Sequence, residues 1–207
     1  MRLALTALIF LGLIQSSPAE ADNRQPTPSA LYGFEGVSFS RLHGELADRA
    51  GGVIQLQIGL GYQPKNSDWA YELMGRGGAT VNGETATMMG WGVRAKRLVP
   101  LSQHFSLYGR AGVTENFFGN SSGPDLAGFG IEYGAGAMAS FRVPALGFLF
   151  FPAFFMGVGP KVNLSLWADL GGEVGNLHTG HGYRGQEESY DYRASSGSYG
   201  LNVGGNF

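Results

Sequence analysis

The chain has 207 residues, a formal net charge of −2, 35 glycines, 13% aromatic residues, 14% charged residues and no cysteine. Sparse charge with abundant aromatics excludes a disordered chain, and the lack of any Lys/Arg stripe excludes an electrostatic case for nucleic acid. Without cysteine there is no disulfide framework and no thiolate metal site, and the glycines lack the every-third spacing of collagen.

Arg2 supplies a short positive region, Leu3 to Ile14 an apolar run, and Ala19-Glu20-Ala21 a small-x-small cleavage pattern after Pro18. This reads as a secretory signal peptide over residues 1–21, cut before Asp22. The apolar run is shorter than the roughly 18 residues a spanning helix requires, and no cysteine follows it for lipid attachment. Asp22 to Ser29, with Pro26 and Pro28, reads as a polar linker, leaving residues 30–207 as one domain.

From Ala30 onward, segments of about ten residues alternate apolar and polar positions between turn residues, the pattern of a membrane β-barrel. The first strand is expected over Ala30 to Leu42. Tyr32 and Phe34 suit its outer face while Val37 and Phe39 fall on the opposite parity, an ambiguous phase that a bulge could reconcile. The second, Val53 to Tyr62, sets Ile54, Leu56, Ile58, Leu60 and Tyr62 against Gln55, Gln57, Gly59 and Gly61. The third, Asp68 to Arg76, places Trp69, Tyr71 and Leu73 outward and Glu72, Met74 and Arg76 inward. The fourth, Thr85 to Leu98, has Met89, Trp91 and Val93 outward and Arg94 and Lys96 inward. The fifth, His104 to Thr114, alternates Phe105, Leu107 and Val113 with Tyr108 and Arg110. The sixth, Ala127 to Phe141, sets Phe129, Ile131 and Tyr133 against Glu132 and a run of glycines. The seventh, Lys161 to Leu170, sets Leu164 and Leu166 against Trp167 and Asp169.

The closing stretch, Ser196 to Phe207, carries Tyr199, Leu201, Val203 and Phe207 on one face and ends on an aromatic. It resembles the last strand of bacterial outer-membrane barrels, where that face and the terminal Phe form the assembly signal. The resemblance implies the barrel-assembly machinery as a partner. With GLGYQPKNSDWAYELMGR (Gly59 to Arg76), PLSQHFSLYGRAGV (Pro100 to Val113) and PKVNLSLWADL (Pro160 to Leu170), the chain is similar to the small eight-stranded barrels related to the OmpA transmembrane domain, OmpX and the opacity-type, porin-family proteins. The expected fold is therefore an all-β, eight-stranded antiparallel up-and-down transmembrane barrel in the bacterial outer membrane, in contact with its lipid. The apolar stretch Pro144 to Gly159 departs from that family, which has a tight turn there. It is expected to lie at the membrane-facing rim or to extend the neighbouring strands.

Connectors at Gln63 to Ser67 and Val99 to Gln103 are short. Those at Arg41 to Gly52, Gly77 to Glu84, Glu115 to Leu126 and Gly171 to Ser195 are longer and polar, the asymmetry of periplasmic turns and outer loops. Tyr62, Trp69, Phe105, Phe141 and Phe207 fall at the short-turn ends, as an interfacial girdle would.

With these phases Glu72, Glu132 and Asp169 face the lumen with Arg76, Arg94, Lys96 and Arg110. A barrel this narrow is filled by side chains, so these charges are expected to pair as a plug, with glycines 59, 61, 90, 92, 134 and 136 making room for the basic ones. In the last outer loop His178, His181, Tyr183, Tyr190 and Tyr192 are candidate contacts for a host or other surface partner. The two His with Glu187, Glu188 and Asp191 are weak metal ligands on so flexible a stretch, and no metal or cofactor is expected. Gly119 to Gly123 matches G-x-S-x-G without the strand-to-helix elbow that the motif needs. His104 and Ser106 invite comparison with outer-membrane lipid A deacylases but lack a carboxylate partner. The expected function is structural or surface-interacting, not enzymatic. The alternatives are a narrow solute channel and a lipid A-modifying enzyme.

Overall fold

The computed structural model describes residues 30–44, 47, 51–81, 86–120, 125–144, 161–179 and 189–206. The signal segment, the linker, residues 145–160 of the apolar insert and Phe207 lie outside the described residues. The elements are β1 (Ala30–Gly44), β2 (Gly52–Gln63), β3 (Trp69–Thr80), β4 (Ala86–Pro100), β5 (Phe105–Asn120), β6 (Leu126–Pro144), β7 (Lys161–Thr179) and β8 (Ser189–Asn206). Each pairs antiparallel with its successor, and β8 also pairs with β1, so the sheet curls into an all-β antiparallel barrel. β8 is described in its backbone alone.

Period-two alternation forms the wall. In β2, Ile54, Leu56, Ile58, Leu60 and Tyr62 are exposed while Gln55 and Gln57 are buried, and the same sense holds in β3 to β7. A soluble barrel would have its apolar set inside. Here Leu56 is 65% exposed and Phe129 70%, whereas Glu72 and Lys96 are buried.

β1 departs from its expected phase. Its register against β2 is continuous from Ala30 to Arg41, Phe34 is 0% exposed, and Val37 and Phe39 face outward. Tyr32 and Phe34 therefore belong to the inside, and no bulge separates the two pairs. The registers do shift elsewhere, between Phe39 and Leu42 against β8 and between Gly171 and Glu173 against β8.

The strands also run further than expected. β3 continues to Thr80, β5 to Asn120 and β7 to Thr179, and β8 begins at Ser189, so much of each expected outer loop is barrel wall. Loop length does not separate the two ends: the longest connector between described strands, 145–160, is on the side of the short turns. β6 and β7 have 19 residues each, well above the roughly ten that a tilted strand needs to cross a bilayer.

The extra length changes the radial pattern. Near the 121–125 end, Leu42, Val53, Met88, Phe118, Leu126 and Leu177 form a buried apolar cluster inside the barrel. The outward positions at that level include Arg41, His43, Thr87, Asn176 and His178, all exposed. Over most of its height the wall is thus apolar outside, Glu35 and Glu115 excepted, and charged inside. Around the Phe118 cluster it is apolar inside, and its outward face mixes Ile54, Met89 and Phe117 with these polar residues. At the opposite end compact turns join β2 to β3 and β4 to β5. In Gln63–Asp68, Asn66 takes φ 56°, Ser67 N–H donates to the Pro64 carbonyl at 3.2 Å, and the Gln63 amide donates to the Ser67 carbonyl at 2.8 Å. Asn accepts this left-handed backbone where most residues resist it.

Candidate functional site

The lumen is filled in three layers. Nearest the short turns, Phe34, Met74, Tyr108 and Trp167 form an apolar cluster, with Tyr32, Leu98 and Met138 packed against it. Four acids and four bases lie beside and above it, Glu72 on the short-turn side of Met74 in β3: Glu72, Glu132, Asp169 and Glu173 with Arg94, Lys96 and Arg110 are buried, and the Arg76 side chain is 9% exposed. The apolar cluster around Phe118 forms the third layer.

Glu72 is the hub. Its Oε1 accepts from Lys96 Nζ at 2.5 Å and from the Tyr32 hydroxyl at 2.6 Å, and its Oε2 accepts from Arg94 Nε. These groups arrive together because Tyr32, Glu72 and Arg94 occupy one lateral row, Tyr32 registering with Gly61, Gly61 with Glu72 and Glu72 with Arg94. The same row continues through Gly112 to Glu132 and Glu173. Arg110 donates to Asp169 Oδ2 at 2.8 Å, which also accepts from the Tyr108 hydroxyl at 3.1 Å. Arg76 pairs with Glu173 Oε2 at 2.5 Å. Thr114 and Asn116 donate to the other Glu173 oxygen at 2.7 and 2.6 Å. Two cations also lie over rings: Lys96 Nζ is 4.6 Å from the Trp167 ring centre, and the Arg94 guanidinium is 5.2 Å from that of Phe34. Such contacts help to hold a desolvated cation.

Every lumen residue expected from the sequence is on this inside face, and all but one are joined by close contacts. Glu132 is the exception, its Oε1 lying 3.6 Å from Arg94 Nη1, beyond hydrogen-bond range. A cavity of about 30 Å³ lies beside Glu132, Arg76, Arg110 and Gln57, enough room for a water or two. Glu173, Thr114 and Asn116 were missed because β5 and β7 were expected to end before or near them. The signal was present in the unbroken alternation Trp167, Asp169, Gly171, Glu173. Tyr32 was missed through the phase error in β1.

Two of the six inward glycines make room for basic side chains as expected, and four do not. A Cβ on Gly59 would meet the Phe34 ring at 2.4 Å, one on Gly61 the Tyr32 ring at 2.2 Å, and one on Gly136 the Tyr108 hydroxyl at 2.5 Å. Of the six, Gly90 and Gly134 border basic side chains, Arg76 and Arg110. The others accommodate aromatic rings or neighbouring side chains.

The outer-loop candidates are dispersed. His178 is exposed on β7. Tyr190 and Tyr192 lie in β8 rather than in a loop, Tyr190 registering with Leu177, and their side chains lie outside the described residues, as do His181 and Tyr183. The positions expected to signal assembly, Tyr199, Leu201 and Val203, register with Phe39, Val37 and Glu35 of β1; their side chains are likewise not described. His104 sits in the turn before β5 instead of sharing a strand face with Ser106. It stacks on Phe141 with ring centres 6.1 Å apart, and its Nδ1 lies 3.1 Å from the Ser140 carbonyl oxygen.

No family model matches the chain, and no curated protein matches it. Among solved structures it is similar to Neisserial surface protein A (NspA) at 14% identity and TM-score 0.47, over 88% of this chain and 98% of that one. It is similar to Ail, the attachment invasion locus protein of Yersinia pestis, at 13% identity and TM-score 0.46, over 87% of this chain and all of the other. The N-terminal β-barrel domain of Pseudomonas aeruginosa OprF matches at 15% identity and TM-score 0.41, over 88% of this chain and all of that domain. These are small outer-membrane β-barrels. With TM-scores below 0.5, the barrel assignment rests on the chain's own strand pairing.

Proposed function

We propose that this chain is an eight-stranded up-and-down transmembrane barrel of the bacterial outer membrane, with a structural or surface-interacting role exerted from its outer rim and no enzymatic chemistry. One observation carries the reading, the radial polarity of the wall, apolar outside and charged inside. Leu, Ile, Val and aromatic side chains point outward around a belt whose interior holds eight ionisable groups. Burying that interior without exposing the belt to water requires lipid outside. Above the belt the interior turns apolar around Phe118 and Leu177, and Arg41, His43, Thr87, Asn176 and His178 join the outward face, as polar residues should where wall projects into water. Tyr62, Trp69, Phe105 and Phe141, all exposed, supply aromatics at the short-turn boundary. The face through Tyr199, Leu201 and Val203, ending at Phe207, serves in this reading as the signal to the assembly machinery.

A solute channel is the second reading, and the packed lumen argues against it: among the described residues two apolar clusters pack against the charges, and a cavity beside them is about 30 Å³. Cells expressing the chain should place it in the outer-membrane fraction, with a folded band that shifts on boiling. Planar bilayers containing it should stay electrically quiet. A soluble, unshifted protein contradicts the barrel, and steady single-channel steps would establish the channel.

A further inference from the structure

Val37, Phe39, Arg41 and His43 follow one another along the outward face of β1, all exposed. Apolar side chains therefore give way to an aromatic, then a guanidinium, then an imidazole, in steps of roughly 6.6 Å along the strand. Among the residues whose side chains are described, neither Arg41 nor His43 is paired with a carboxylate. Arg41 registers with Gly52, over which the Phe39 ring lies, and Arg193 of β8 registers with His43. Asp191 sits two positions nearer the rim. The patch is local: on β5 the outward residue close to the top of the belt is an acid, Glu115, which accepts from Trp91 Nε1 at 2.7 Å.

We propose that the outward face of β1 from Val37 to His43 binds a phosphate-bearing lipid headgroup of the outer leaflet. The Arg41 guanidinium clamps two phosphate oxygens, a His43 ring N–H donates to a third, and the acyl chains lie against Phe39 and Val37. The inference rests on the transmembrane reading, because that reading places Arg41 at headgroup level. A cation beside an anionic surface contributes a factor of about five in affinity, and the contribution weakens with salt.

The test uses the full mature chain folded into phosphatidylcholine vesicles with and without phosphatidic acid. After extraction, native mass spectrometry counts the retained lipids for the wild type, R41Q/H43Q and the turn variant K65Q. The wild type and K65Q should retain phosphatidic acid in preference to phosphatidylcholine, and R41Q/H43Q should lose most of that preference, about fivefold or more. Added inorganic phosphate should leave the retained lipid in place, since the chains contribute to binding. Equal retention by R41Q/H43Q, equal loss in K65Q, or complete displacement by inorganic phosphate overturns the proposal. A heat-shift gel on each sample separates the two failures. A folded, inserted barrel with no lipid preference sinks this inference alone, whereas a wild type that does not insert sinks the reading beneath it.

Discussion

Glu72 and Glu132 sit in the same lateral row of the lumen but have unequal partners. Glu72 holds Lys96, Arg94 and the Tyr32 hydroxyl, and its removal strands two cations in a poorly hydrated space. Breaking a buried pair of this kind costs about 3–5 kcal/mol. Glu132 stands 3.6 Å from one Arg94 nitrogen and has far less to lose. Glu72→Ala should therefore lower the unfolding midpoint in detergent strongly, with Glu132→Ala giving a clearly smaller drop in the same urea titration; equal effects would show that the network does not centre on Glu72. Glycines provide a second contrast. A Cβ on Gly136 would lie 2.4 Å from the Ala168 carbonyl oxygen, whereas one on Gly77 would meet nothing within 4 Å. Gly136→Ala should impair folding, and Gly77→Ala should be neutral or stabilising by up to about 1 kcal/mol, as read from the fraction of heat-shifted band after refolding.

At the scale of elements, each strand's inner and outer sets follow from a period of two, which is why β2 to β7 were legible in the sequence. β1 was not, because aromatic character suggests an outward position in a membrane barrel. Phe34 and Tyr32 are in fact internal, where Gly59 and Gly61 on the paired strand leave space for their rings. That compensation is between strands and cannot be seen by reading one strand alone. Strand ends were equally hidden, since polar residues such as Thr114, Asn116 and Glu173 look the same in a loop and on the inside face of a barrel. The short turn at Asn66 was legible and is specific: at φ 56° a β-branched residue is strained. Asn66→Val should cost about 1 kcal/mol and slow hairpin closure, whereas Asn66→Gly should fold as the wild type does in a stopped-flow refolding assay.

For the molecule as a whole, the sequence contained the barrel's alternation and the members of its charged layer, but not which side of the wall was in. No single strand distinguishes a lipid-facing apolar row from a core-facing one, and the loop-length asymmetry used to decide the matter proved weaker than expected. The distribution of exposure around the barrel decides it, and the three tryptophans sample that distribution directly. Trp69 and Trp91 are exposed on the wall, and Trp167 is buried in the lumen against Lys96. Variants retaining one tryptophan each, folded into bilayers whose acyl chains carry bromine, should show strong fluorescence quenching for Trp69 and Trp91 and little for Trp167. Quenching of Trp167 with Trp69 and Trp91 protected, or a chain that stays in solution beside the vesicles, would contradict a lipid-facing belt around a charged interior.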